Sequence, residues 1–212
     1  MNQRLIYVMD PMCSWCWGFA PVLRKIRESA PELELRLVPG GLRPGQRTLL
    51  DAAARAALAE HWEAVHIASA QPFAHPDQLP AEFVYNTEPA CRALIVGREL
   101  DSQRVWALLE AIQQAFYVEA RDVGQASVLL ALAESTGYNP QAFAEQFDAE
   151  LTRAAIAADF SWTRDLGIDG FPTLLGQRNG QLALLANGYQ SADDVLPLFE
   201  RWWQAGQPVR EP

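Results

Sequence analysis

The sequence predicts an α/β domain split by a large all-helical insertion. Three observations predict it. The first forty residues read as strand, helix, strand. No convincing strand follows from about residue 48 to residue 166, where alanine is dense. Two apolar runs around Asn179-Gly180 and one amphipathic stretch then close the chain.

Leu5-Ile6-Tyr7-Val8-Met9 is an unbroken apolar run and reads as a short strand buried on both faces. Asp10-Pro11-Met12 break it. Beyond Cys13, the residues Phe19, Val22, Leu23, Ile26 and Ala30 recur at the spacing of one helix face. Pro21 lies inside this helix and predicts a kink, and Pro31 ends it. Leu33, Leu35 and Leu37 alternate with Glu34 and Arg36, Val38 continues the run, and Pro39-Gly40-Gly41 closes a strand with one polar face. If the two strands are parallel, this is a βαβ unit with a right-handed crossover.

Candidate helices then run over roughly 48–70, 88–100, 102–117, 125–136 and 140–166, the last of them broken. Asn86-Thr87-Glu88-Pro89 is a helix entry, a capping residue followed by proline in the first turn. Pro72, Pro76 and Pro80 make 71–87 a looser connector. Thr173-Leu174-Leu175 and Leu182-Ala183-Leu184-Leu185 flank Asn179-Gly180, a strong short-range hairpin signal. The final helix spans about 192–204, with Val195, Leu196, Phe199, Trp202 and Trp203 on its apolar side. The expected organisation is therefore a discontinuous α/β domain, residues 1–43 and 167–212, with a helical domain at 44–166 inserted in it.

Composition bounds the function. The chain has 212 residues, half of them hydrophobic, with a net charge of −9. An acidic chain lacks the basic stripe that nucleic acid or an anionic membrane surface attracts, so neither partner is expected. No run of about 18 apolar residues occurs that would span a bilayer. The apolar run after Arg4 is too short for a signal peptide, which makes a cytoplasmic protein the expectation. Three cysteines, Cys13, Cys16 and Cys91, are too few for a disulfide scaffold in a chain of this size.

The motif that carries chemistry is Cys13-Ser14-Trp15-Cys16. It follows a buried strand and opens a helix. The thiolate is the nucleophile in sulfur exchange, and helix N-termini favour negative charge. Two intervening residues put the second sulfur one turn away, within reach of a reversible disulfide. C-x-x-C beside a βαβ pattern is a thioredoxin-like redox signature. Half of a zinc site is the alternative, and it requires further ligands from Cys91, His61, His66 or His75. His61 and His66 are five apart and lie on different sides of a helix, so no metal is expected. A structural pair of core cysteines is a second alternative. Far along the chain, Gly170-Phe171-Pro172-Thr173 places a proline at a strand entrance, either trans at a strand edge or cis in a turn.

Taken together, the strand, the C-x-x-C, the helix with Pro21 five residues past the second cysteine, the next strand, and Pro172-Thr173 before a hairpin and last helix resemble the thioredoxin fold. The helical insertion resembles that of DsbA. Asp10-Pro11-Met12-Cys13-Ser14-Trp15-Cys16-Trp17-Gly18-Phe19 and Gly170-Phe171-Pro172-Thr173-Leu174 are similar to the cytosolic, FrnE-like branch of the DsbA family, predicted protein-disulfide isomerases. The architecture is also similar to that of 2-hydroxychromene-2-carboxylate isomerase and kappa-class glutathione transferase. The resemblance extends over essentially the whole chain. It implies Cys13 as the exposed attacking thiolate, Cys16 as the resolving thiol, and Pro172 as a cis-proline packed against them. It also implies that the Phe171 backbone pairs with an extended substrate. Ser14-Trp15 between the cysteines departs from the DsbA pattern, which points to reduction or isomerisation of disulfides rather than strong oxidation.

Supporting residues follow. Asp10 is either a proton acceptor for Cys16 or a turn aspartate, and a carboxylate so close opposes thiolate formation. Trp15 and Phe171, with Trp17, form an apolar collar for substrate, or Trp17 simply packs. Thr173 follows Pro172 at the site. Cys91 shares a helix face with Leu94 and Ile95 and reads as an inert core thiol. Gly40-Gly41 either lets a loop approach the site or is a plain turn. The expected partners are disulfide-containing proteins or peptides and a thiol reductant. No cofactor is required, and glutathione is a candidate redox co-substrate. A monomer or a homodimer is expected. Two other readings remain open: a glutathione-dependent transferase or isomerase of small molecules, kept open by Ser14, and a chaperone-like binding protein whose helical block supplies an apolar groove.

Overall fold

The computed structural model describes residues 3–207; residues 1–2 and 208–212, the outermost parts of the expected α/β segments, lie outside the described residues. The order of elements is β1 (Gln3–Met9), α1 (Ser14–Ser29), β2 (Glu34–Pro39), α2 (Ala52–Ser69), α3 (Glu88–Leu100), α4 (Val105–Tyr117), α5 (Ala126–Ser135), α6 (Pro140–Phe147), α7 (Glu150–Asp165), β3 (Thr173–Arg178), β4 (Gln181–Asn187) and α8 (Ala192–Gln204). One four-stranded sheet, order β2-β1-β3-β4, is interrupted in sequence by a helical insertion, the α/β organisation the sequence predicts.

β1 pairs in parallel with β2, Leu5 opposite Leu35, and antiparallel with β3, Ile6 opposite Leu175. The strand is central, which is why its apolar run is unbroken. Side chains alternate across the sheet. Leu5, Tyr7 and Met9 join α1 and the helical insertion in the large core. Ile6 and Val8 join Val38 and Leu175 on the other face, with Trp162 of α7 packed over them. β2 has the polar face expected only at its start. Glu34 is exposed and Arg36 half-buried, but Leu37, Val38 and Pro39 are all buried, because α3 and α7 cover that end of the strand.

Several boundaries differ from the sequence reading for identifiable reasons. α2 begins at Ala52 rather than 48, because the Asp51 side chain accepts from Ala54 N at 2.8 Å and caps it there. The residues before it pair instead: Leu50 N donates to Phe83 O at 2.9 Å, and Leu49 forms a β-bridge with Val84. A short piece of β pairing therefore exists inside the segment read as strandless. α4 begins at Val105 rather than 102, because the Asp101 carboxylate accepts from Gln103 N at 3.0 Å and holds a turn there. The last long helix breaks between Phe147 and Glu150. The hairpin strands extend to Arg178 and start again at Gln181, with Asn179 and Gly180 at φ of 49° and 82°, the geometry a two-residue turn of this hand needs.

Candidate active site

The N-terminus of α1 is where sequence and topology bring the thiols. Cys13 is the N-cap of the helix, extended at φ −85° and ψ 116°, and its own side chain makes no capping bond. Its carbonyl accepts from Cys16 N at 2.9 Å and Trp17 N at 3.1 Å, so the first turn is closed beneath it. All three cysteines are free thiols. Cys13 is 5% exposed, Cys16 1% and Cys91 0%. The Cys13 thiol is thus far less open than an exposed nucleophile, because the Phe171 loop crosses it. Its sulfur donates to Phe171 O at 3.7 Å. It is nonetheless the most accessible of the three.

Phe171 and Pro172 enter from the other end of the chain, and their peptide bond is cis. Pro172 is buried, and its carbonyl accepts from Gly188 N at 2.8 Å. Thr173 is 1% exposed and donates through Oγ1 to Gly170 O at 3.0 Å, closing the loop on itself. The Phe171 ring lies against Gly40, where a Cβ would strike it, and a Cβ on Gly41, at φ +75°, would meet the Phe160 ring at 2.8 Å. The Gly40-Gly41 pair is therefore a close-approach site as well as a turn.

Asp10 is 0% exposed and organises the turn into the helix. Its Oδ1 accepts from Met12 N at 2.8 Å, its Oδ2 from Leu42 N at 2.6 Å, and its backbone carbonyl from Cys13 N at 3.0 Å. It is a turn aspartate by these bonds. Its carboxyl is buried near enough for its charge to act on the Cys16 thiol. Burial pushes Asp10 above the usual carboxylate range, while donors from Leu42, Thr87, Met12 and Cys91 pull it back. Burial pushes the Cys16 thiol well up, and neighbouring Cys13 adds to this. Cys16 is therefore a thiol that holds its proton.

Ser14 is 4% exposed in the first turn of α1. Trp15 is half-buried, 6.0 Å between ring centroids from His61 and 5.3 Å from Tyr189. Trp17 stacks on Tyr117 at 6.0 Å and 8°, and its Nε1 donates to Pro72 O at 3.0 Å, which makes it packing rather than part of a collar. Among the described residues, no three His, Cys, Asp or Glu side chains gather as a metal site. No helix among them is long and apolar enough to cross a membrane.

Three contributors carried no sequence signal. Tyr85 donates from its hydroxyl to Met12 O, and Tyr7 donates to Cys16 O at 3.4 Å, so two buried phenols support the motif from below. Cys91, read as an inert core thiol, donates to Asp10 Oδ2 at 3.3 Å.

Residues 4–196 match the family model of the DSBA-like thioredoxin domain. A Nitrosomonas europaea structure, of a protein proposed to be a protein disulfide isomerase, superposes with a TM-score of 0.90 at 36% identity, covering 98% of this chain and all of that one. The cytosolic disulfide reductase DsbM from Pseudomonas aeruginosa superposes at 0.81 with 30% identity, over 96% of this chain and all of its own. The same reductase has been solved with GSH, and that structure superposes at 0.78 with 29% identity, over 95% of this chain and 99% of its own. The curated relative ClpXP adapter protein SpxH of Bacillus subtilis is 24% identical over 173 residues, 78% of this chain; the chain spans 55% of that relative's length.

Proposed function

The chain belongs to the family of DSBA-like thioredoxin domains, and from that premise we propose that it is a thiol–disulfide oxidoreductase working through Cys13 and Cys16. One observation carries the reading. Cys13 caps α1 with its sulfur turned to the Phe171 carbonyl, and Cys16 lies buried one turn deeper. That arrangement suits one attacking and one resolving sulfur.

The steps are as follows. The Cys13 thiolate attacks a substrate disulfide, one substrate sulfur leaves as thiolate, and a mixed disulfide forms. An extended substrate strand pairs with the Phe171 backbone. Cys16 then loses its proton to the Asp10 carboxylate and attacks the Cys13 sulfur. The Cys13–Cys16 disulfide forms, and the second substrate sulfur leaves. The substrate has gained two electrons. Two molecules of a small thiol, for which glutathione is the natural candidate given the GSH-bound relative, then reduce the Cys13–Cys16 disulfide and leave joined as their own disulfide. No bound cofactor is needed. Isomerisation follows when the mixed disulfide is attacked by another substrate thiol instead of Cys16. Substrates in this reading are disulfide-bearing proteins or peptides in the cytoplasm, met by a monomer or homodimer. The thioredoxin-like unit is residues 1–43 with 167–212, and 44–166 is the insertion.

The test is a Cys16→Ala variant incubated with an oxidised peptide. A mixed disulfide confined to Cys13, detected by mass spectrometry, is the expected result. Its absence, together with no catalysed reduction of insulin by the parent protein, overturns the reading. Activity toward small electrophiles that needs glutathione and survives Cys13→Ser would assign a glutathione transferase or isomerase instead.

A further inference from the structure

The exchange steps above leave one buried nucleophilic group unused. Cys91, on α3 of the helical insertion, is 0% exposed and 81 residues from Asp10 in sequence, yet its thiol donates to Asp10 Oδ2 at 3.3 Å. The same oxygen accepts from Leu42 N at 2.6 Å. Asp10 in turn accepts through its carbonyl from Cys13 N at 3.0 Å, and its charge acts on the Cys16 thiol. The insertion thus reaches the carboxylate that closes the turn into the cysteine motif. A donor to that carboxylate favours its charged form and fixes the direction of its free lone pairs.

We propose that Cys91 is a positioning residue for thiol exchange: its thiol holds the Asp10 carboxylate ready to take the Cys16 proton as the mixed disulfide is resolved. The inference rests on the oxidoreductase reading. In that step the proton passes from Cys16 Sγ to Asp10. The Cys16 sulfur bonds the Cys13 sulfur, and the bond from Cys13 to the substrate sulfur breaks. The departing thiolate recovers the proton through solvent, and the electron pair stays with it. Cys91 itself is neither oxidised nor reduced.

Other groups act on the same carboxylate or its partner and are unchanged in the comparison. Cys13 and Cys16 lie at the start of α1. Tyr85 and Tyr117 feel the Asp10 charge, with Arg43 over the Tyr85 ring at 4.9 Å, and Glu88 acts on Cys91 from the start of α3.

The reaction with 2,2′-dithiodipyridine separates the steps. One thiopyridone is released when Cys13 attacks, and a second when Cys16 resolves the mixed disulfide. Losing one modest hydrogen bond to the carboxylate should move the acidic limb of the second phase up by about 0.5–1 pH unit in Cys91→Ala. The first phase should stay within about twofold. Cys91→Ser keeps a donor and should recover at least half of the shift. In Asp10→Asn, adding Cys91→Ala should change nothing further. Cys91→Val, nearly isosteric, replaces the alanine if the cavity prevents folding, with the same expectation. Superimposable second-phase profiles for parent and Cys91→Ala, equal shifts for Ala and Ser, or an added shift in the Asp10→Asn background each overturn the proposal. A parent protein that never releases the second equivalent overturns the oxidoreductase reading itself.

Discussion

The Cys13 sulfur lies 3.7 Å from the carbonyl oxygen of Phe171, a residue 158 positions away. The contact ties the start of α1 to the loop that enters β3. Behind the Phe171 ring stands Gly40, at the end of β2, whose N–H donates to Met9 O at 2.7 Å. Three strand ends therefore converge on one thiol, and the loop between Gly170 and Thr173 has little freedom to retreat from it.

Gly40→Ala tests this convergence. The added methyl group meets the Phe171 ring, which must swing away from Gly40 and strain the loop whose carbonyl the Cys13 sulfur touches. Overpacking of this kind costs about 1–3 kcal/mol. Urea denaturation should show that loss, and the rate of Cys13 exchange should change with it. Gly170→Ala is the control, since open space surrounds Gly170, and it should stay within about 0.5 kcal/mol of the parent. Equal stability of the two variants would count against the packing described.

What could be read in the sequence was local. β1, α1 and the Asn179-Gly180 hairpin announce themselves by an apolar run, a 3.6-residue period and a turn that demands positive φ. Cys13, Cys16, Phe171 and Pro172 were legible because a motif and a strand-entrance proline mark them. The bond between Cys91 and Asp10 was not legible. It depends on α3 lying against the β1–α1 turn, a tertiary contact across 81 residues that leaves no periodic trace. Asp51 is the opposite case. Its capping role is written locally, yet the preceding Leu49 and Leu50 extended the apparent helical pattern past it, although they pair with Val84 and Phe83.

Arg98 should matter for stability and not for exchange. Its Nη1 donates to Asp159 Oδ2 at 2.7 Å and to Leu37 O at 3.1 Å, joining α3, α7 and β2 with side chains only 14% and 11% exposed. Removing one partner leaves the other charge poorly solvated, so Arg98→Ala should cost about 3 kcal/mol. Arg98→Met with Asp159→Leu should recover most of it. Activity per folded molecule should be unchanged in both. A double variant as unstable as the single one would contradict this account.

The pH dependence of stability follows from burial. Asp10 is raised above its ordinary value by desolvation, so the folded chain holds that proton more tightly than the unfolded one. Its contribution is fully present below the unfolded value near 3.9 and is lost as pH rises through the folded value. Melting temperatures of the parent and Asp10→Asn, compared from pH 4 to pH 7, should therefore show the parent losing ground as pH rises. At the alkaline end, burial raises Cys16 and Cys91 in the same sense, so both favour unfolding once pH passes about 8.5. Cys91→Ala should flatten that alkaline loss. A parent whose stability relative to Asp10→Asn climbs between pH 4 and pH 7 would refute the sign.

Trp15 separates substrate contact from packing. Its ring is half-buried between His61 of α2, edge-on at 88°, and Tyr189, whose hydroxyl donates to Ala68 O at 2.7 Å. It stands between the two cysteines in sequence and keeps part of its face open. Trp15→Ala removes apolar surface beside Cys13 while leaving both sulfurs in place. If that surface receives the side chains of a peptide substrate, KM for an oxidised peptide should rise several-fold, with little change in kcat. The rate with a small disulfide such as oxidised glutathione should stay within about twofold. Truncating a partly exposed aromatic should cost about 1–2 kcal/mol, below the figure for a fully buried ring, so loss of fold should not confuse the assay. Equal losses with the peptide and the small disulfide would mean that Trp15 only packs against His61 and Tyr189. A fall in kcat alone would mean that it sets the geometry of the Cys13–Cys16 pair.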